Sequence, residues 1–172
     1  MADKEIINFI KKYEGLALKA YKCPAGVWTI GYGHTEGVKE GDEISLDRAE
    51  EMIVQDVEKV ERALLSYHAY KQTNKVKPIT KGEHNALLSF AYNAGIVSTY
   101  YILYSMRDPS NYSKVVNSTD PDAIKYSQWR FEKKDSVPYF LFLFRMYIIA
   151  GGKPLLGLFK RRTDEYYKFF IK

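Results

Sequence analysis

The chain has 172 residues, of which 46% are hydrophobic, 27% charged and 15% aromatic, a size that fits one compact domain or two small lobes sharing a core. Its single cysteine excludes an intramolecular disulfide framework and a multi-cysteine zinc site. No run approaches the about 18 apolar residues of a transmembrane helix, and the first residues do not form a secretory signal. We therefore expect synthesis in a cytoplasm and no stable insertion into a membrane.

The net charge of +5 is unevenly distributed along the chain. Residues 36–61 contain ten acidic and three basic side chains, so this segment carries −7 and the remainder carries +12. Such a surface attracts a polyanion, whether a nucleic acid, an acidic membrane or an anionic cell wall. Because no basic run is dense enough for a nucleic-acid tail and no nucleic-acid motif is recognisable, we expect no nucleic-acid partner.

The N-terminal elements are a helix followed by a hairpin. Apolar residues at helical spacing predict a helix over 3–13, with Asp3 as its N-cap and Gly15 at its C-cap, so that Glu14 lies at its C-terminal end. Aromatic and branched residues over 18–21 and 27–32, separated by a turn signal, predict two antiparallel strands. A third short strand is predicted at 37–40 or 43–44.

The rest of the chain is predicted to be mainly helical. A long helix is predicted over 45–70, followed by a polar loop over 71–78. Thr80 and Glu83 form a capping box that opens the next helix, and this helix ends near Gly95. Further helices are predicted over 98–107, 120–133, 138–149 and 155–170. A small β-lobe followed by helices predicts the α+β class.

Three residues near the hairpin are candidates for chemistry. A carboxylate at the end of a helix, such as Glu14, faces the negative end of the helix dipole, which favours its protonated form and suits a general acid. Position alone favours an ordinary surface Glu. Thr29 on a strand either positions water or reflects strand propensity. Cys23 is either a nucleophile, which would require an activating base, or a small apolar turn residue.

Taken together, these three residues and their spacing are a far more specific signal than any one of them alone. The spacing of Glu14, eight residues, Cys23, five residues and Thr29, together with the run Thr-Ile-Gly-Tyr-Gly-His at 29–34, resembles the phage-type lysozymes, the T4-like endolysins of glycoside hydrolase family 24. The family has Asp or Cys at the middle position. The resemblance continues through 44–57, 86–95 and 151–165, and covers roughly residues 3–107 and 150–167.

The resemblance implies a single lysozyme-like domain over 1–172. In this fold an N-terminal hairpin lobe, about 13–57, is joined by a long helix to a helical lobe formed by about 1–12 and 58–172. It also implies hydrolysis of the β-1,4 bond between N-acetylmuramic acid and N-acetylglucosamine in peptidoglycan, with inversion and without a metal or cofactor. Glu14 would donate the proton, Thr29 would hold the attacking water, and Cys23 would orient water or stabilise the transition state.

Two departures from the family affect this interpretation. Cys23 stands where many relatives have Asp. An ordinary thiol is mostly neutral at pH 7, and a neighbouring acidic Glu14 is expected to push it further toward neutral, so it offers weaker charge stabilisation. The segment of about 129–150 aligns poorly, looks longer than usual and suggests an extra hydrophobic helix.

Other family positions have both functional and structural explanations. Tyr32, Tyr92 and Asn93 fall where the family binds substrate, although a buried core position explains Tyr92 equally well. His34 is either an active-site base or, by the stronger interpretation, a structural partner of Asp56. A further pair, Arg161 and Arg162, would either contact peptide carboxylates of the wall or pair with Glu165, and we favour the structural role.

The leading interpretation is therefore a monomeric endolysin that acts on peptidoglycan glycan strands. The missing signal and the family resemblance together suggest release to the periplasmic cell wall by a separate holin. Two alternatives stay open: a bacteriocin-type muramidase, and a non-catalytic peptidoglycan-binding module. The second stays open because Cys23 stands where many relatives have Asp.

Overall fold

The computed structural model describes residues 3–117, 136–150 and 153–171. The chain divides into two compact units, Met1–Ala63 and Leu64–Lys172. Helices predominate and are accompanied by small antiparallel two-stranded sheets, which confirms the predicted α+β class. None of the helices described is both long and apolar enough to cross a membrane.

The first unit opens with helix α1, Lys4–Glu14, within one residue of the predicted bounds. The Asp3 carboxylate accepts a hydrogen bond from the Glu5 amide at 3.0 Å and caps its N-terminus. Gly15 ends it with a φ of 72°, and its amide donates to the Lys11 carbonyl oxygen. The helix buries one apolar face, formed by Ile6, Phe9 and Ile10.

The predicted hairpin follows. Strand β1, Ala17–Lys22, pairs antiparallel with β2, Trp28–Gly31. Next to it, the Ile44 amide donates to the Leu18 carbonyl oxygen at 2.9 Å, and an isolated bridge joins Lys19 to Glu43. The third strand predicted at 43–44 is thus only a bridge. It is cut short because the next helix begins at Leu46.

The long helix is shorter than predicted. Helix α2 spans Leu46–Ser66, and a separate helix α3, His68–Val76, occupies most of the predicted 71–78 loop. The helical conformation is interrupted at Tyr67, whose backbone is extended (φ −62°, ψ 130°). The sequence pattern did not predict α3 because a polar residue, Thr73, occupies its buried face. The Thr73 hydroxyl donates to the Leu103 carbonyl oxygen at 2.7 Å, which satisfies it in the interior.

The second unit is built around helix α4, Lys81–Ala94, which begins with the predicted capping box. Most of its side chains are buried, among them Phe90, whose ring meets Phe144 edge-on at 5.4 Å. The helix predicted over 98–107 is instead a 3-10 turn, Ile96–Thr99, followed by a short helix α5, Tyr100–Ser105.

The C-terminal part contains elements that the sequence pattern did not predict. Strand β3, Val115–Asn117, pairs with β4, Ser136–Pro138, and β5, Ile149–Ala150, pairs with β6, Lys153–Pro154. Between the two sheets lies α6, Tyr139–Arg145, which ends before the predicted 149. Helix α7, Leu156–Glu165, continues into a π-helical turn, Tyr166–Phe170. The helix predicted over 120–133 lies outside the described residues.

Candidate active site

Glu14 is the last residue of α1, and its side chain is partly exposed. The tight turn after β2 runs beneath it, closed by hydrogen bonds in both directions between Ile30 and His34 at 2.9 Å. Gly33 in this turn has a φ of 95°, and a Cβ there would lie 3.6 Å from Glu14 Oε2. The positive φ favours glycine here, and without a side chain the backbone passes close to the carboxylate.

Cys23 and Thr29 lie together beside the turn that joins β1 and β2. The Cys23 amide donates to the Val27 carbonyl oxygen at 3.0 Å, and the Gly26 amide donates to the Cys23 carbonyl oxygen at 2.7 Å. Thr29 is buried, and its hydroxyl lies 3.1 Å from the Val27 carbonyl oxygen. Hydrogen bonding from the same hydroxyl also favours the Cys23 thiolate. Because a hydroxyl has one proton, it donates to only one of these two acceptors at a time.

The expectation that Cys23 is pushed toward neutral is wrong. Hydrogen bonding from the backbone at Val27 and Ala25 is the main reason that the pKa of the Cys23 thiol lies below its usual value, and the Thr29 hydroxyl adds to the effect. The turn aims polar groups at the sulfur, an arrangement that residue spacing does not reveal. The site accordingly holds more thiolate near neutral pH than an ordinary thiol would.

Tyr32 is mostly enclosed within the first unit. Its side chain is buried, and its hydroxyl donates to Glu50 at 2.9 Å. Lys11 Nζ lies 2.6 Å from both oxygens of the same carboxylate and 5.1 Å from the Tyr32 ring centre. The cluster of Lys11, Tyr32 and Glu50 therefore ties α1, the hairpin turn and α2 together. Sequence reasoning missed Glu50 and Lys11, which lie 39 positions apart with no local pattern connecting them.

Glu50 and Lys11 in this cluster each stabilise the charged form of the other. Hydrogen bonding to Lys11, and secondarily to Tyr32, holds the pKa of Glu50 below its usual range. The bond to Glu50 raises the pKa of Lys11. Burial, followed by the bond to Glu50, raises the pKa of Tyr32. The cluster is thus an ion pair with a neutral phenol bound to it over the physiological pH range.

His34 lies against α2, close to Asp56. Its Nδ1 is 2.8 Å from Asp56 Oδ2, and its Nε2 is 3.0 Å from the Glu36 carbonyl oxygen. Both ring nitrogens therefore face hydrogen-bond acceptors. This is the arrangement expected of a side chain that fastens the turn after β2 to the helix.

The remaining predicted residues lie in the second unit. Tyr92 is partly exposed and Asn93 is exposed, both in the last turn of α4. Asn93 Oδ1 accepts a hydrogen bond from Arg162 at 3.2 Å. The Asn93 side chain is thus oriented from below by a buried guanidinium.

Arg161 and Arg162 are buried with Glu165 on α7. Glu165 Oε1 accepts hydrogen bonds from Ser89 at 2.7 Å, Arg162 at 2.9 Å and Arg161 at 3.2 Å. Burial raises the pKa of Glu165, whereas the two guanidinium groups favour the charged form. Both arginines therefore have structural partners, as the sequence interpretation favoured.

The described side chains suit acid–base chemistry on a bound substrate. They comprise a partly exposed carboxylate at a helix end, a thiol with a lowered pKa, and the Thr29 hydroxyl at the same turn as that thiol. Within the described residues, no cluster of three or more His, Cys, Asp or Glu side chains is arranged to hold a metal ion.

Comparison with known proteins identifies the family. The phage lysozyme family model matches residues 11–165. The chain is 33% identical over 157 residues to an endolysin of Acyrthosiphon pisum secondary endosymbiont phage 1, covering 91% of this chain and 88% of that one. It is 29% identical over 166 residues to a SAR-endolysin of Haemophilus phage HP1, covering 92% of this chain and 75% of that one.

Solved structures of lysozyme-type proteins have the same fold. The muramidase domain of SpmX from Asticaccaulis excentricus superposes with a TM-score of 0.64 at 21% identity, covering 100% of this chain and 98% of that one. An endolysin from Escherichia coli O157:H7 phage FAHEc1 superposes with a TM-score of 0.58 at 29% identity, covering 97% and 93%. The chain belongs to the phage lysozyme family and is a lysozyme-type glycoside hydrolase.

Proposed function

We propose that the chain is an endolysin-type N-acetylmuramidase that hydrolyses the β-1,4 bond between N-acetylmuramic acid and N-acetylglucosamine in peptidoglycan. Glu14 is the general acid, Thr29 positions the attacking water, and Cys23 takes the place of the second carboxylate. The observation that carries the proposal is that the Cys23 amide and the Thr29 hydroxyl both donate to the Val27 carbonyl oxygen, on a hairpin that directly follows the helix ending in Glu14.

Glu14 fits the role of acid for steric reasons. Gly33 keeps the space beside Oε2 free of a side chain, so a glycosidic oxygen can approach the carboxyl group. Proton donation to the leaving oxygen is the step that every hydrolysis of this type requires. The partial exposure of Glu14 gives the carboxyl group access both to a bound glycan and to the water that returns its proton.

Thr29 and Cys23 together supply the other half of the reaction. When the Thr29 proton points to Val27 or to the Cys23 sulfur, the hydroxyl oxygen still accepts a hydrogen bond from water. A water held this way has its oxygen lone pairs free to attack the anomeric carbon. The Cys23 thiolate then accepts the proton that the water loses, or provides negative charge opposite the oxocarbenium-like transition state.

This arrangement predicts inversion, because water rather than a protein group attacks the sugar. The nascent reducing end of a β-linked substrate would carry the α configuration. Proton NMR of the anomeric region during the first minutes of hydrolysis measures this. An initial β product would overturn the direct-water mechanism and point instead to a covalent sugar intermediate.

The test of the catalytic residues compares three variants with the wild type. Glu14→Gln keeps the shape of the side chain and removes the acid, so we expect a loss of roughly 100-fold or more in reducing-end release from purified walls. Glu40→Gln, an exposed loop carboxylate, is the matched control and should keep full activity. Cys23→Asp restores the residue common in the family and should remain active. Circular dichroism checks that each variant is folded.

The outcomes separate this proposal from a non-catalytic wall-binding module, which the replacement of Asp by Cys23 favours. A folded wild-type protein that binds walls without releasing reducing ends, together with a lytic Cys23→Asp variant, would show that this chain only binds. A fully active Glu14→Gln variant would remove the general-acid assignment.

The biological setting follows from the same proposal. The chain would act as one lysozyme-like domain and as a monomer, with its hairpin lobe at about 13–57. It would be made in the host cytoplasm and reach the periplasmic face of the wall through a separate holin. Relatives named endolysins support this setting. The substrate-binding roles of Tyr32, Tyr92 and Asn93 belong to the proposal as well. For Tyr32 the buried hydroxyl favours shaping of the site over direct contact with sugar.

A further inference from the structure

The second unit has an open pocket of about 710 Å³ at α5 and the segment that follows it. Its walls combine aromatic rings with a few polar groups, contributed mainly by Tyr100, Tyr101, Tyr104, Tyr139, Arg107, Asp108 and Asn111. A volume of this size is typical of pockets that take small organic ligands. None of these residues has a role in the reaction proposed above. Together they form what we call the tyrosine pocket.

Three of the tyrosines are conspicuously exposed. Tyr100, Tyr101 and Tyr104 are 43%, 58% and 57% accessible to solvent. The rings of Tyr100 and Tyr104 are nearly parallel, with an angle of 20° and centres 6.1 Å apart, and Tyr101 meets Tyr100 edge-on at 5.6 Å. Single exposed aromatic residues are ordinary, whereas a cluster of them in a concavity marks a binding surface.

The polar groups of the tyrosine pocket are held in place from behind. Arg107 lies 5.3 Å from the Tyr104 ring centre, and its Nε and Nη2 donate to the Thr73 hydroxyl at 3.2 Å and the Ala69 carbonyl oxygen at 3.4 Å. A guanidinium has five N–H donors, so these bonds leave donors for a ligand. Asn111 is likewise oriented by donating to the Ser105 carbonyl oxygen at 2.9 Å, which leaves its amide oxygen as an acceptor.

The pocket carries too little net charge to select a strongly ionic ligand. Arg107 and Asp108 carry opposite charges, Asp108 is engaged by the Ser110 amide at 2.9 Å, and a further cation, Lys114, lies 4.5 Å from the Tyr139 ring centre. The lining therefore does not provide the concentrated positive charge that holds phosphates or nucleic acid backbones. What it provides is aromatic faces with donors and acceptors at their edges.

We propose that the tyrosine pocket is a second, non-catalytic glycan-binding site that holds the N-acetylated polysaccharide of the cell wall. This inference rests on the proposed function for the choice of polysaccharide. A pyranose ring presents a face of C–H bonds, whose partial positive charge complements the negative face of a tyrosine ring. Its hydroxyl and acetamido groups point outward, where Arg107 and Asn111 meet them. Such a site keeps the enzyme on the wall between cleavage events.

The first measurement is retention on purified, insoluble peptidoglycan in the Glu14→Gln background, so that the wall is not degraded. We compare Tyr101→Ala/Tyr104→Ala with Tyr167→Ala, which removes a tyrosine of similar exposure (46%) outside the tyrosine pocket. The double variant should be retained at least about fivefold more weakly, given the strength of aromatic contacts. The Tyr167→Ala control should be retained like its parent.

The second measurement locates binding directly. A soluble β-1,4 oligomer of N-acetylglucosamine is titrated into the Glu14→Gln protein while amide resonances are followed by NMR. We expect the Tyr101 and Tyr104 resonances to shift with saturation, and adenosine monophosphate to leave them unmoved. The proposal requires both the retention result and these shifts, so a missing one overturns it, and shifts caused by the nucleotide alone overturn it in favour of a base-stacking site.

These results are independent of the proposed catalytic function. Reducing-end release by the wild-type protein decides whether the chain hydrolyses walls, and neither binding measurement depends on turnover. A chain that hydrolyses walls but shows unchanged retention on loss of Tyr101 and Tyr104 would keep its proposed function and lose only the second site.

Discussion

At the scale of single residues, Cys23 shows how strongly a turn conformation can alter a side chain. The residue types around it suggest a neutral thiol, since Glu14 is acidic. The folded backbone instead directs hydrogen bonds from Val27 and Ala25 toward the sulfur, and these lower the pKa of the thiol. Spacing reveals which residues are near one another along the chain, but not where their N–H groups point.

This lowered pKa predicts a measurable reactivity. The rate of alkylation of Cys23 by iodoacetamide follows the thiolate fraction, so its pH profile should be displaced to lower pH than that of a cysteine in an unstructured peptide. Because Cys23 is the only cysteine, mass spectrometry reads the modification without ambiguity. A midpoint equal to or above that of the peptide cysteine would contradict the assignment.

A Thr29→Val variant provides the matching control. It removes the hydrogen-bonding hydroxyl and keeps the size and branching of the side chain. We expect the profile to move toward higher pH, because one group that favours the thiolate is lost. It should remain below that of the peptide cysteine, since backbone hydrogen bonding at Val27 and Ala25 contributes more than the Thr29 hydroxyl.

At the scale of elements, the cluster of Lys11, Tyr32 and Glu50 holds α1, the turn after β2 and α2 together. The Glu50 carboxylate is 41% exposed, so solvent screens the ion pair, and we expect Glu50→Gln to lower the free energy of unfolding by about 1 kcal/mol at pH 7. Urea unfolding measures this. Glu51→Gln, a more exposed carboxylate on the same helix, should change stability by less than about 0.5 kcal/mol.

The pH dependence of this effect has a defined sign. Hydrogen bonding to Lys11 lowers the pKa of Glu50 in the folded state, so its contribution is fully present above the unfolded value of about 4.3. It is lost as the pH falls through the lower folded value. The difference between wild type and Glu50→Gln should therefore shrink as unfolding is measured from pH 7 down to pH 3. A difference that grows toward acid pH would mean that the pKa is not lowered.

The elements also show where sequence patterns succeed and where they fail. The hairpin and the start of α4 were predicted because turn residues and a capping box are local signals. The break at Tyr67 carries no such signal, since neither glycine nor proline marks it. Helix α3 was missed because Thr73 occupies a buried position and satisfies its hydroxyl against Leu103. Glu50 was missed because its partners are distant in sequence and converge only on folding.

At the scale of the whole molecule, the order of elements was enough to predict the α+β class, since a hairpin followed by helices leaves few other arrangements. The family could be recognised because the residues near the hairpin are constrained by chemistry as well as by packing. The C-terminal sheets were not predicted, because their strands are only two or three residues long. Strands that short contain too few alternations for a period of two to be detected.

The charge distribution leads to the last prediction, which concerns attraction to the wall. Outside residues 36–61 the chain carries +12, and the resulting field is screened over about 10 Å at 0.1 M salt. Hydrolysis of walls that carry anionic polymers should therefore slow several-fold between about 0.02 and 0.3 M sodium chloride. Cleavage of a short uncharged glycan should change little.

Lys71→Glu/Lys75→Glu, a reversal of two exposed charges on α3, should weaken the salt dependence while leaving the rate on the uncharged glycan intact. An equal salt effect on both substrates would show that the field does not guide the protein to the wall.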